Sequence, residues 1–205
     1  MSQGIAHSEL ILGGQRSGKS RRAEMLARQW LDADPAHQAV LIATAQPWDE
    51  EMQQRIARHQ QDRAARVPGM RTVEEPLQLA EAVAQEAQPQ TMVVVDCLTL
   101  WLTNLRMPPL EDASAAGDGD MLAGHDAQAE EHHIASLLKA VAQAQGPVVL
   151  VGNEIGLGVI PMGAQVRSFV DALGRLNQEV ARVCERVTLM AAGLPLTLKD
   201  TPCAP

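Results

Sequence analysis

Gly13-Gly14-Gln15-Arg16-Ser17-Gly18-Lys19-Ser20 is a complete G-x-x-x-x-G-K-[ST] sequence. The apolar run Leu10-Ile11-Leu12 before it predicts a short buried strand. Arg21 to Ala27 after it predicts a helix. Strand, glycine loop and helix are the setting in which this motif cradles phosphates. Glycines at 13, 14 and 18 let the backbone turn tightly and approach a ligand. The loop N–H groups then form an anion nest at the positive end of the following helix. Lys19 supplies a full charge for β- and γ-phosphates, and the Ser20 hydroxyl is placed to ligate Mg²⁺.

Working outward, apolar runs alternate with helical patterns. Ala39 to Thr44 predicts a second strand. Asp49 is a candidate cap for a helix carrying Met52, Ile56 and His59. Arg71 to Pro76 predicts a short strand, and Leu77 to Ala84 a helical stripe. Met92-Val93-Val94-Val95-Asp96 is a continuous β-branched run, as expected of a strand covered on both faces. A helix follows from Leu98 to Leu105, then a Pro-, Gly- and Asp-rich surface loop over 108–124. Ile134 to Val141, Val148 to Val151 and a long helix from about Gln165 complete the alternation. The end is either a hairpin or a last core strand with an edge strand carrying Pro195. This order predicts one α/β domain over residues 1–205, with a mostly parallel sheet wrapped on both faces and a loose tail at 1–7.

Composition excludes several classes. The net charge is −8, with no basic run, which argues against nucleic acid or an anionic membrane as the main partner. Aromatics are limited to three Trp and one Phe, too few for a base-stacking platform. Three cysteines, widely spaced, point to reduced thiols and a cytoplasmic location. No apolar run approaches the ~20 residues of a membrane span, so stable membrane insertion is not expected.

Several polar residues fall at predicted strand ends, where ligands of an open parallel sheet lie. Asp96 is a candidate Mg²⁺ partner beside Ser20, or else a cap for the next helix. Asn153 and Glu154 are substrate candidates, Glu154 as a group that positions a nucleophile or accepts a proton; its alternative is a polar loop residue. A GTPase switch is disfavoured, because N-K-x-D is absent and Asp96 is followed by Cys97-Leu98-Thr99. His59 lies among Arg55, Arg58 and Arg63, an environment suited to attack on a phosphate, although a lone exposed histidine is more often merely solvated.

Read together, these stretches resemble a known family. The matching residues are the phosphate loop through Arg21, Ala43-Thr44-Ala45-Gln46, Asp49 to Met52, and Arg55-Ile56-Ala57-Arg58-His59 with Arg63. Further matches are Arg71 to Pro76, Asp96 to Thr99 with Thr103-Asn104, Asn153 to Pro161, and Gly174-Arg175-Leu176-Asn177-Gln178. In this order they resemble the bifunctional adenosylcobinamide kinase / adenosylcobinamide-phosphate guanylyltransferases of cobalamin biosynthesis. The resemblance implies a RecA-like P-loop fold and phosphorylation of adenosylcobinamide with ATP or GTP. It also implies transfer of GMP from GTP through a GMP–histidine on His59. Nucleotide contacts are implied for Gly13, Gly14, Gln15, Arg16, Ser17, Gly18, Lys19 and Ser20. They are also implied for Ala43, Thr44, Ala45, Gln60, Gln61, Asp62, Arg63, Glu74 and Asp96. Mg²⁺ on Ser20 and Asp96, Arg167 as a substrate contact, and a homo-oligomer with a trimer as its expected form follow likewise. Two departures stand out: Met162-Gly163-Ala164 and Val170 replace residues that are usually polar or basic, and extra residues near Ala65 to Pro68 lengthen the loop after His59. The rival readings are a small-molecule kinase without guanylyl transfer and a RecA-like regulatory module.

Overall fold

The computed structural model describes residues 4–47, 50–107 and 126–201, apart from the side chains at 51, 52, 55, 56 and 59. The Asp49 cap, the 108–124 loop and the His59 side chain lie outside the described residues.

The chain runs β1 (Ser8–Gly13), α1 (Lys19–Ala33), β2 (Gln38–Ala43), α2 (Glu50–Arg66), β3 (Arg71–Glu74), α3 (Leu79–Glu86) and β4 (Thr91–Asp96). It continues with α4 (Leu98–Arg106), α5 (Ala127–Gln143), β5 (Val148–Val151), α6 (Ala164–Val183), β6 (Arg186–Ala191) and β7 (Leu194–Asp200). The strands form one sheet in the order β3-β2-β4-β5-β1-β6-β7. All neighbours are parallel except β6 and β7, which pair antiparallel. Hairpin and edge strand, the alternatives at the chain end, are thus both realised. Pro195 sits on the outermost strand, where a missing N–H leaves no inner ladder bond unmade.

Continuous apolar strands make sense here because successive side chains enter opposite layers. Leu10, Leu12, Val93, Val95, Val148 and Leu150 pack with α3, α4, α5 and α6. Ile11, Met92, Val94, Val149 and Val151 pack on the other face with Ala23, Leu26 and Ala27 of α1 and with Val67 beyond α2. Each such fully buried side chain contributes on the order of 1.5–3 kcal/mol. Trp101 is completely buried and its indole N–H donates to the Leu77 carbonyl at 2.9 Å, so its one polar atom is satisfied.

The described part of the N-terminal stretch is tied down. The Arg186 guanidinium donates to the Gly4 carbonyl at 2.8 Å, and the His7 N–H donates to Glu185 at 2.9 Å. Arg186 is itself buried and needs acceptors. At the far side of the molecule Arg106 is bonded to Glu130 at 2.7 Å and to the Ser168 carbonyl at 2.9 Å, joining the end of α4 to the starts of α5 and α6. No helix among the described residues is long and apolar enough to cross a membrane.

Candidate functional site

Parallel strands all point their carboxyl ends to one edge, and the sheet register collects the candidate residues there. Ala43 stands opposite both Glu74 and Asp96, Asp96 opposite Val151, and Gly13 opposite Met190. The glycine loop leaves β1 at this edge and passes directly into α1.

The loop has the backbone that its glycines allow. Gly18 adopts φ +99° and Gly13 φ +152°. A Cβ on Gly13 would stand 2.5 Å from the Met190 carbonyl oxygen and 2.6 Å from Ser17 Oγ, so no larger residue fits. Arg16 also takes a left-handed φ of 57°. Gly14 accepts from the Lys19 ammonium at 2.7 Å and from the Ser17 N–H at 3.3 Å. From below, the Gly193 N–H of the β6–β7 turn donates to the Ser17 carbonyl at 3.0 Å.

Three features of this cradle suit an anion. The α1 N-terminus has no side-chain cap and no acidic residue in its first turn, so its N–H dipoles are not offset by local carboxylates. Ser17 Oγ is buried with no hydrogen-bond partner among the described residues. Burial lowers the Lys19 ammonium below its usual pKa, against the opposing pull of Cys97 and Asp96. A charge disfavoured by desolvation is relieved by an anion. The Ser20 hydroxyl and the Asp96 carboxylate are hard oxygen donors of the kind Mg²⁺ takes.

Several predicted contact residues have other duties. Thr44 is fully buried, and its hydroxyl donates to the Cys97 carbonyl at 2.8 Å while accepting from the Cys97 N–H at 2.9 Å. Arg63 is buried too, and donates to the Thr72 hydroxyl at 3.0 Å. Gln60 reaches Glu74 at 3.4 Å, and Asp62 pairs with Arg66 at 3.2 Å. Gln61 is exposed on the same helix. His59 sits within α2, seven positions before Arg66.

On the β5 side, the Glu154 N–H donates to the Gly13 carbonyl at 3.0 Å, joining this loop to the phosphate loop. The Glu154 carboxylate accepts from the Gly156 N–H at 2.8 Å. Asn153 is held from two directions. Its N–H donates to Thr99 Oγ1 at 2.9 Å, and its carbonyl accepts from the Asn177 amide at 3.1 Å. Beyond it, a groove of about 580 Å³ runs between residues 155–161 and α6, with Arg167, Asp171, Arg175 and Gln178 in its wall. Val159 and Met162 are each 95% exposed beside it. Arg167 Nη1 donates to the Pro161 and Met162 carbonyls, clamping this loop onto α6.

Sequence reasoning assigns no role to Asn104, Thr99 or Asn177, although all three lie in the matching stretches. Asn104 donates to the Thr44 carbonyl at 2.8 Å and to the Pro76 carbonyl at 3.0 Å, and so pins the chain after β2 and β3. A polar residue on the buried face of an otherwise apolar helix was the available signal.

Comparison with known proteins agrees with this geometry. Residues 9–198 match the family model described as cobinamide kinase / cobinamide phosphate guanyltransferase. The bifunctional adenosylcobalamin biosynthesis protein CobP of Pseudomonas aeruginosa is 45% identical over 194 residues, covering 95% of this chain and 98% of that protein. The bifunctional adenosylcobalamin biosynthesis proteins CobU of Escherichia coli and Salmonella typhimurium are 37% and 33% identical, each over 93% of this chain and 98% of that protein. Among solved structures, the flagellar accessory protein FlaH of Methanocaldococcus jannaschii shares the fold, at 12% identity and a TM-score of 0.50 over 98% of this chain. The chain belongs to the cobinamide kinase / cobinamide phosphate guanyltransferase family.

Proposed function

We propose that this member of the family carries out both transfers at the edge where β1, β2, β4 and β5 end. The protein is a bifunctional adenosylcobinamide kinase and adenosylcobinamide-phosphate guanylyltransferase of cobalamin nucleotide-loop assembly. We read the fold as a single RecA-like P-loop domain. The observation that carries the reading is the glycine loop closed around Gly14 by Lys19, at the same strand edge as Asp96.

In the kinase step, the loop N–H groups and Lys19 hold the β- and γ-phosphates. The hydroxyl oxygen of the substrate's aminopropanol arm attacks the γ-phosphorus, the bond to the β–γ bridging oxygen breaks, and ADP or GDP leaves. Glu154 is the candidate acceptor for the hydroxyl proton. Ser20 and Asp96 would hold Mg²⁺, which would supply charge neutralisation to the polyphosphate. In the second step an imidazole nitrogen of His59 attacks the α-phosphorus of GTP and pyrophosphate leaves. An oxygen of adenosylcobinamide phosphate then attacks the same phosphorus, breaks the P–N bond and gives adenosylcobinamide-GDP. Ala43, Ala45, Gln60, Gln61 and Glu74 remain the candidates that line the nucleotide. Thr44 and Arg63 support that wall from behind, since their side chains are buried in contacts of their own.

The groove beyond Asn153 and Glu154 supports placing the bulky corrinoid there. It has the volume of a small-molecule site, an apolar wall and a few polar groups. ATP and GTP as substrates, and two buried free thiols, favour the cytoplasm. A homo-oligomer, expected to be a trimer, is to be checked by sedimentation.

The deciding experiment is incubation with α-labelled GTP and Mg²⁺. Acid-labile, base-stable label on the protein that disappears in His59→Ala is the expected result. Undiminished label in that variant refutes the assignment of His59. ATP consumption that depends on added cobinamide separates the kinase from a regulatory module.

A further inference from the structure

The helix that carries His59 touches the helix that begins at Lys19 and Ser20 through one buried carboxylate. Glu24 of α1 is 5% exposed and is paired with the Arg66 guanidinium in the last turn of α2. Arg66 also holds Asp62 at 3.2 Å, one turn earlier on its own helix. Burial raises the Glu24 carboxyl above its usual pKa, while Arg66 pulls it down. A buried carboxylate that loses its guanidinium is left uncompensated, which makes the contact specific.

The positions of the pair decide what it does. Residues four apart on a helix share a face, so Glu24 lies on the same face of α1 as Ser20. Residues four and seven apart also share a face, so positions 59, 63 and 66 line one side of α2. That side is the one fastened to the protein body. Arg66 reaches Glu24, Arg63 reaches Thr72 on β3, and Val67 just beyond is 2% exposed. Position 59 stands about 10 Å along the axis from Arg66, at 1.5 Å per residue. A fastening at the last turn fixes the rotation of α2 about its own axis, and so the placement of its backbone along its whole length.

We infer that Glu24 and Arg66 are positioning residues for the guanylyl-transfer half of the activity. They tie the phosphate-loop helix to the histidine helix, so that position 59 is presented to the nucleotide held above α1. The inference rests on the proposed role of His59. The kinase step takes no reacting group from that helix, whose Gln60 and Gln61 are candidates for binding the nucleotide only, so at saturating nucleotide it depends on the tie far less than the guanylyl step does.

The test uses full-length enzyme and compares two rates in each variant: label transfer to protein from α-labelled GTP, and cobinamide-dependent ATP consumption. Arg66→Ala and Glu24→Ala are expected to slow labelling about tenfold or more while phosphorylation stays within about twofold. Arg66→Lys, which keeps the charge, is expected to recover most of the labelling. Thermal melts by circular dichroism accompany each variant, and Arg66→Lys keeps the test decisive if an alanine variant fails to fold. Equal loss of both rates, or loss of neither, overturns the inference. A wild-type protein that phosphorylates cobinamide yet takes no label would instead remove the guanylyl reading on which the inference stands.

Discussion

The Gly193 N–H donates to the Ser17 carbonyl at 3.0 Å, so the turn of the C-terminal hairpin supports the phosphate loop from beneath. Gly18 and Gly193 are also neighbours: a Cβ on Gly18 would stand in ordinary contact, 3.4 Å from the Gly193 Cα. The loop's shape is therefore set by a turn far away in sequence. Gly13→Ala places a methyl against the Met190 carbonyl, where the backbone cannot yield easily. Overpacking of this kind costs about 1–3 kcal/mol. The expected outcome is at least a tenfold loss in nucleotide affinity by isothermal titration, with a lowered melting temperature.

Thr44→Val removes a hydroxyl and leaves the buried Cys97 N–H without its acceptor. An unsatisfied buried donor costs about 1–3 kcal/mol. For a protein of this size that is a melting-temperature drop on the order of 2–4 °C for each kcal/mol. Thr44→Ser, which keeps the hydroxyl, should lose much less.

Burial pushes the Cys97 thiol up to about 11 and the Cys184 thiol up to about 12. Both remain protonated and shielded at neutral pH, and the thiolate is the reactive form. Iodoacetamide at pH 8 is expected to leave both unmodified in the native protein and to alkylate both in guanidinium. Peptide mass spectrometry reads the result.

Two buried groups give opposite pH dependences of stability. The Glu24 carboxyl is raised above 4.5, so just above that pH the folded chain keeps a proton that the unfolded chain has lost. Its contribution to stability therefore falls as pH rises through that window. The Lys19 ammonium is lowered below 10.5, so just below that pH the unfolded chain holds the extra proton. Its contribution rises with pH there. Thermal melts against pH should show the first slope flattened in Glu24→Gln and the second flattened in Lys19→Met.

Ser20→Ala and Asp96→Asn remove the two proposed oxygen donors to Mg²⁺. Each is expected to lower both transfers about a hundredfold, the scale on which electrostatic groups at a reacting centre act. EDTA should abolish both activities in the wild type, and excess Mg²⁺ should restore them. Activity unchanged in both variants would place the metal elsewhere.

Much of this architecture was legible before any coordinates. The run Met92 to Asp96 announces a strand buried on both faces, and the glycine loop announces a strand–loop–helix unit. Local patterns carry that information, because strand alternation and turn chemistry repeat within a few residues. The departures share one cause, the pairing of polar groups distant in sequence. The resemblance implies a nucleotide contact at Thr44, and no local pattern shows that its hydroxyl is engaged by Cys97, 53 positions away. Arg63 looked like part of a cationic cluster around His59, yet it is folded inward onto Thr72. Residues 4–7 looked loose because nothing nearby in sequence holds them; Arg186 does, 182 positions from Gly4.

The contact between Arg106 and Glu130 has a practical meaning. Two points 24 positions apart along the chain are one ion pair apart in space, and the Ser168 carbonyl bonded to Arg106 secures them to a third helix. New chain ends opened between these anchors, with the old termini joined, should therefore give a permuted enzyme that keeps both activities.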